Sequence, residues 1–267
     1  MSALASGRRG RAKAGPALRI GTAGWSIDKR YAGGLPAPGS HLERYARRLN
    51  AVEINSSFRR RHKPRTYERW ASSVPEDFKF SVKLPEEITH DRGLVGCDEI
   101  LKIFAAETAG LGSKLGTWLI QLPPKLAFDA KTFDGFFDLV NGCSDAMVAV
   151  EPRNATWFTE EVESRLIERR VARVAADPAR VPGSGEPGGW RGLAYFRWHG
   201  SPACTIPTTT ARPFSHWGGV SKALAFGEPR RGASSTIRRL GPHWEMLWSY
   251  RSCGDVSELG TTQPVPE

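Results

Sequence analysis

Cysteine is scarce and scattered. Cys97, Cys143, Cys204 and Cys253 form no C-x-x-C pair and show no zinc-ligand spacing, so neither a disulfide framework nor a structural metal is expected, and a reduced, cytoplasmic protein is the default. No apolar run approaches the length of a membrane span, which argues against a membrane partner. The first residues carry basic side chains but no apolar stretch of the kind a secretory signal needs. No G-x-G-x-x-G opens a helix, so the usual dinucleotide fingerprint is missing and no cofactor is named by the sequence. With only 6 histidines, metal ligation by imidazole has little to draw on.

What remains is an ordinary globular composition with a basic bias. Of the formal +10, the stretch up to Arg19 holds +5 without an acid and Ala203 to Glu267 holds +2, leaving +3 for the body between them. Residues 1–17 are expected to be a disordered basic tail. Weak attraction to nucleic acid is one reading of it; a solubilising extension is the plainer one.

Within the body, short alternating runs punctuate longer helical ones. Ala51-Val52-Glu53-Ile54-Asn55-Ser56-Ser57-Phe58 sends Val52 and Ile54 to one face and Glu53, Asn55 and Ser57 to the other. Phe78 to Pro85, Thr117 to Pro123, Met147 to Arg153, Ala172 to Asp177 and Gly192 to Gly200 read as further strands, after a first at Leu18 to Trp25. Helical segments separate them, which predicts parallel βα units and a (β/α)₈ TIM-barrel class over residues 18–202. Beyond Pro202 neither periodicity continues, so the eighth strand and the last helices are expected to be missing.

If the more apolar face of each strand points outward, the inward face is polar at the strand ends, where barrel enzymes keep their chemistry. Glu53, Asn55, Lys83, Gln121, Glu151, Arg153, Asp177, Arg197 and His199 then form a ring. Lys83, Arg153 and Arg197 suit an anion, while Glu53, Glu151, Asp177 and His199 suit general acid–base work. A metal is disfavoured, because the neighbouring cations repel it. Trp25 and Trp157 either stack on a ligand or simply pack beneath loops.

Seven stretches in order resemble the YecE-like proteins, domain-of-unknown-function family 72: Gly21–Trp25, Val52–Phe58, Phe80–Lys83, Ile88–His90, Gln121–Pro124, Val150–Arg153 with Trp157, and Arg197–Gly200. The resemblance implies a TIM barrel and leaves activity open. It adds His90 to the candidate catalytic set of Glu53, Lys83, Glu151, Asp177 and His199; Trp25, Asn55, Gln121, Arg153, Trp157 and Arg197 are the candidate ligand-binding residues. This chain departs from the family at Arg59, where an aromatic residue is usual, and in lacking the family's closing Asp-Asn-Thr strand. Codons permitted for Ser235–Tyr250, read one base earlier, allow that ending, and those from Ala203 allow the family's tyrosine-rich segment. Residues 203–267 are therefore expected to be out of frame and mostly disordered, and this copy inactive.

Two functions are compatible with the ring: an enzyme acting on a phosphorylated or nucleic-acid-like anionic substrate, or a non-catalytic binder of an anionic small molecule. A third reading, a salt-bridged plug in an interaction protein, needs no ligand at all.

Overall fold

Five parallel strands form the backbone of the structure. They are β2 (Ala51–Ile54), β3 (Lys79–Lys83), β4 (Leu115–Gln121), β5 (Met147–Glu151) and β6 (Val171–Arg173), hydrogen-bonded in that order. The short β8 (Gly188–Gly189) adds an antiparallel edge. A second sheet runs β1 (Arg19–Thr22), β10 (Ala223–Gly227), β9 (Ala194–Trp198), β7 (Ala175–Asp177). In it, β7 and β9 are parallel and β10 is antiparallel to both neighbours. This computed structural model describes residues 18–26 and 38–198, together with the backbone of 223–227. The tail, His199 and the rest of 203–267 lie outside the described residues.

The strands alternate as the sequence predicts, and the two faces sort into two cores. Val52, Ile54, Phe80, Val82, Trp118, Ile120, Val148 and Val150 pack with Phe104, Phe133 and Leu166 of the helices. Ala51, Leu119, Ala149, Ala172, Val174 and Tyr195 form a smaller cluster on the opposite face. The first set faces the helices because β-branched and aromatic side chains fill the gap between a sheet and its covering layer.

Those helices are α1 (His41–Ala46), α2 (Pro64–Ser72), α3 (Asp98–Thr108), α4 (Ala130–Cys143) and α5 (Glu160–Glu168). Their starts are written locally: a Ser40/Glu43 capping box, Pro64 in the first turn, and Asp129 and Thr159 accepting from Thr132 and Val162 backbone N–H groups.

The two sheets meet at β1 and β2. Ala23 and Glu53 form an isolated parallel bridge, and the Gly24 N–H donates to the Glu53 carbonyl at 2.8 Å. Closeness here demands glycine, since a Cβ on Gly21 would lie 2.1 Å from the Ala51 carbonyl oxygen. Tyr45 fastens the same seam: its hydroxyl donates to the Ala51 carbonyl and accepts from the Thr22 N–H, each at 2.8 Å.

Three expectations are corrected. The ladders are two sheets joined by that bridge and not one closed ring of eight parallel strands. The strand expected over Ala172–Asp177 is broken at Val174, whose N–H donates to the Val150 carbonyl between β6 and β7. A strand also exists past Pro202. Ala223–Gly227 is five residues of small and large apolar side chains among Gly and Arg clusters, too short for its alternation to register by eye.

Candidate functional site

Period-two alternation puts Glu53 of β2, Ser81 and Lys83 of β3, Gln121 of β4, Glu151 of β5, and Tyr195 and Arg197 of β9 on the face away from the helices. All seven are buried. The Arg197 guanidinium ties the two carboxylates together. Its Nε and Nη2 donate to the two oxygens of Glu53 at 3.1 and 2.9 Å, and Nη1 donates to Glu151 Oε2. The other oxygen of Glu151 accepts from Arg153 at 2.8 and 3.0 Å and from the Gln121 amide at 3.3 Å. Tyr195 donates to Ser81 Oγ at 2.8 Å and stands 3.4 Å from Glu53.

Planar forks and carboxylates match in such pairs, so each buried charge is met by hydrogen bonds as well as by its opposite. Burial by itself would raise the Glu151 carboxyl; Arg197 and Arg153 outweigh it and hold the group below its usual range. Burial likewise opposes the charge on Arg197, and the two carboxylates more than offset it. The Tyr195 hydroxyl is pushed well up by burial and then by Glu53, so it serves as a donor.

A pH dependence follows from Glu151. Its folded value lies below the unfolded 4.5, so its contribution to stability is complete above pH 4.5 and is lost as pH falls through the folded value. Urea unfolding between pH 6 and pH 3 should show a steep acid limb that Glu151→Gln flattens. An unchanged limb in the variant would assign acid unfolding to other carboxylates.

Lys83 is different. It is 7% exposed, yet it makes no ion pair or hydrogen bond among the described residues. Its ammonium sits over the Phe58 ring, 3.7 Å from the centroid. Phe58 is held there by the turn that ends β2, because Ser57 Oγ lies 2.8 Å from the Ile54 carbonyl and 2.6 Å from that of Lys83. Burial, then the charge of Arg197, pulls the lysine down to about 8, against the opposing pull of Glu53 and Glu151. His90 packs edge-on against the same ring at 5.1 Å, with Nδ1 2.8 Å from Thr89 Oγ1. Burial and the Lys83 charge lower it too. It lies in a π-helical turn, Glu87–Asp91, a geometry that often marks functional segments.

The remaining candidates divide. Asn55 stands half-buried at the start of the turn after β2, with a buried Oδ1 that has no hydrogen-bond partner among the described residues. Trp25 packs edge-on against Trp70 at 5.0 Å. Trp157 is buried against Phe128 and Phe133 and donates its N–H to the Leu126 carbonyl at 3.0 Å, so it is a core residue and not a stacking platform. Asp177 is exposed. Here the apolar face, Ala172 and Val174, is the inner one and not the helix-facing one, so alternation turns Ala176 toward the site and Asp177 away from it. Sequence reasoning did not single out Phe58, Ser81 or Tyr195; Tyr195 could have been found, because it lies two residues before Arg197 and shares its face. Among the described residues, no group of three or more His, Cys, Asp and Glu side chains could hold a metal ion, and no helix is long and apolar enough to cross a membrane.

A mixed α/β protein with a mostly parallel sheet and a buried carboxylate–guanidinium cluster at its strand ends is thus defined. The chain belongs to the family described as "Protein of unknown function DUF72", whose profile it matches over residues 19–233, past the end of the stretch that carries the motifs. It is 29% identical to the UPF0759 protein YecE of Escherichia coli K12 over 170 residues, 61% of this chain and 60% of that protein. With YunF of Bacillus subtilis 168 it shares 30% over 152 residues, 53% and 52% of the two chains. The matches therefore span about half to three-fifths of these relatives. In fold it is similar to DUF72 family proteins from Enterococcus faecalis V583 (TM-score 0.56, 22% identity, 72% of this chain and 74% of that one) and Thermotoga maritima MSB8 (0.52, 24%, 68% and 74%).

Proposed function

We propose that the buried cluster is the binding site of an anionic ligand, and that the protein is a cytoplasmic enzyme acting on a phosphorylated or nucleic-acid-like substrate. The two sheets are read as parts of one barrel that departs from the (β/α)₈ pattern at its antiparallel β10, with the site at the C-terminal ends of its parallel strands. The observation that carries the reading is Lys83. Two carboxylates, Glu53 and Glu151, face three cations, and two of those cations, Arg153 and Arg197, are committed to the carboxylates. The surplus positive charge belongs to Lys83, a buried residue whose ammonium no carboxylate pairs among the described residues, a costly arrangement unless an anion completes it. Arg153 is half-buried beside it and His90 shares its aromatic floor.

In this reading Lys83 and Arg153 hold the anion, Arg197 fixes the carboxylates, and His90 is the neutral base. Glu53, Glu151 and Gln121 are positioning groups, and His199, directly after β9, is a further acid–base candidate. The alternative, a binder without chemistry, draws support from one fact: both carboxylates are engaged by arginine. Calorimetric titration with inorganic phosphate and with a nucleoside monophosphate tests the site. Saturable binding of at least one is expected, weakened about tenfold or more by Lys83→Met, the loss of one charge-assisted bond. No saturable binding, or binding indifferent to the substitution, would overturn it. Binding of a mononucleotide that is recovered unchanged would favour the non-catalytic reading.

A further inference from the structure

We propose that Lys83 is a nucleophile that condenses with the carbonyl group of an anionic aldehyde or ketone to form an imine. This deepens the anion-site reading and rests on it for the ligand's charge. The geometry that supports it is an amine at the C-terminal end of a central strand, buried, without a carboxylate or carbonyl partner among the described residues, and floored by Phe58. A lysine kept only for structure looks different in this same protein. Lys114 is equally buried, but it donates to the Ala71 and Val74 carbonyls at 2.8 Å each.

An amine becomes a nucleophile when it loses its proton, and desolvation beside another cation is the general way to achieve that. Burial and Arg197 do this to Lys83, drawing it from 10.5 to about 8. At pH 7 the neutral fraction is then about 300-fold larger than for an ordinary lysine.

The neutral Nζ lone pair attacks the carbonyl carbon, and the carbonyl π pair moves to oxygen, which takes up a proton. The nitrogen of the adduct loses one proton to give the neutral carbinolamine; its hydroxyl then takes up a second proton and leaves as water as the C=N bond forms, and the iminium nitrogen gives up its remaining proton. One amine and one carbonyl give one imine and one water, with no net redox change. His90, on the same ring and lowered in its own affinity for protons, is the proton carrier that the exchange calls for.

The test uses the full chain, glycolaldehyde as an uncharged carbonyl probe, and cyanoborohydride, which delivers hydride to the imine carbon and fixes a secondary amine. Peptide mapping by mass spectrometry at pH 7 should find Lys83 modified about tenfold or more faster than the exposed Lys102 and Lys125, and Lys114 unmodified. Accessibility alone gives the reverse order. Lys83→Arg, which keeps the charge and removes the amine, should lose the fast site. Lys83 labelled no faster than Lys102 overturns the proposal. Calorimetry with inorganic phosphate on the unlabelled chain judges the underlying reading separately. Phosphate binding without fast labelling sinks only the imine, and fast labelling without phosphate binding sinks only the anion site.

Discussion

Replacing Arg197 with alanine is expected to cost about 3–5 kcal/mol of folding stability, the penalty typical of removing one partner from a buried ion pair. Glu53 is 0% exposed and Glu151 2%, so neither can recover the lost hydrogen bonds from water without opening the structure. Among the described residues, Glu53 would keep only the Tyr195 hydroxyl as a hydrogen-bond partner; Glu151 would keep Arg153 and Gln121. A single domain has roughly 5–15 kcal/mol in all, so the variant should unfold at a much lower urea concentration, and part of the loss should return at low pH as the stranded carboxylates take up protons. Arg197→Lys should not rescue it, because one ammonium cannot meet both oxygens of Glu53 and one of Glu151 together. A loss below about 1 kcal/mol would mean that the carboxylates reach solvent and that the cluster is not sealed.

Lys83→Met should act in the opposite direction and raise stability at pH 7 by about 1–3 kcal/mol. The lysine's folded value of about 8 lies below its unfolded 10.5, and each unit of that gap is worth about 1.4 kcal/mol. Below pH 8 the protein carries a buried charge at a cost. Between 8 and 10.5 the unfolded chain binds the extra proton, so stability climbs with pH. Urea unfolding at pH 7, 8.5 and 10 should therefore show a rise in the parent that is absent from the variant. A variant less stable at pH 7 would show that the contact with Phe58 outweighs desolvation. Opposite signs at Arg197 and Lys83 would separate the group that builds the site from the group the site is built to present.

Much of this arrangement was legible in the sequence because it rests on a period of two. Once Val52 and Ile54 are assigned to the helices, Glu53 must face the other way, and the same logic places Lys83, Gln121, Glu151 and Arg197. Helix starts are local by nature, since Ser40, Pro64, Asp129 and Thr159 each act within three residues. Pairing was not legible. Nothing local says that the two ends of the Arg197 guanidinium go to strands β2 and β5, so acid–base work and salt bridging looked alike at Glu53. The cation–π contact at Lys83 was hidden for the same reason, since Phe58 reaches it across a turn. Asp177 was misplaced because the apolar face of its strand was taken to point toward the helices, whereas Ala172 and Val174 belong to the inner cluster. Trp157 could be weighed only once Leu126, 31 residues earlier in the chain, was seen to accept its N–H.

The reach of Arg197 also has a consequence in time. Its partners lie 144 and 46 residues earlier in the chain, so a ribosome releases both carboxylates long before the guanidinium that neutralises them. Until β9 docks, Glu53 and Glu151 must keep their water, and the inner face between them stays wet while the helix-facing side can already be dry. Contacts so distant in sequence are slow to find, which makes the arrival of a single side chain the moment at which the middle of the protein gives up its solvent.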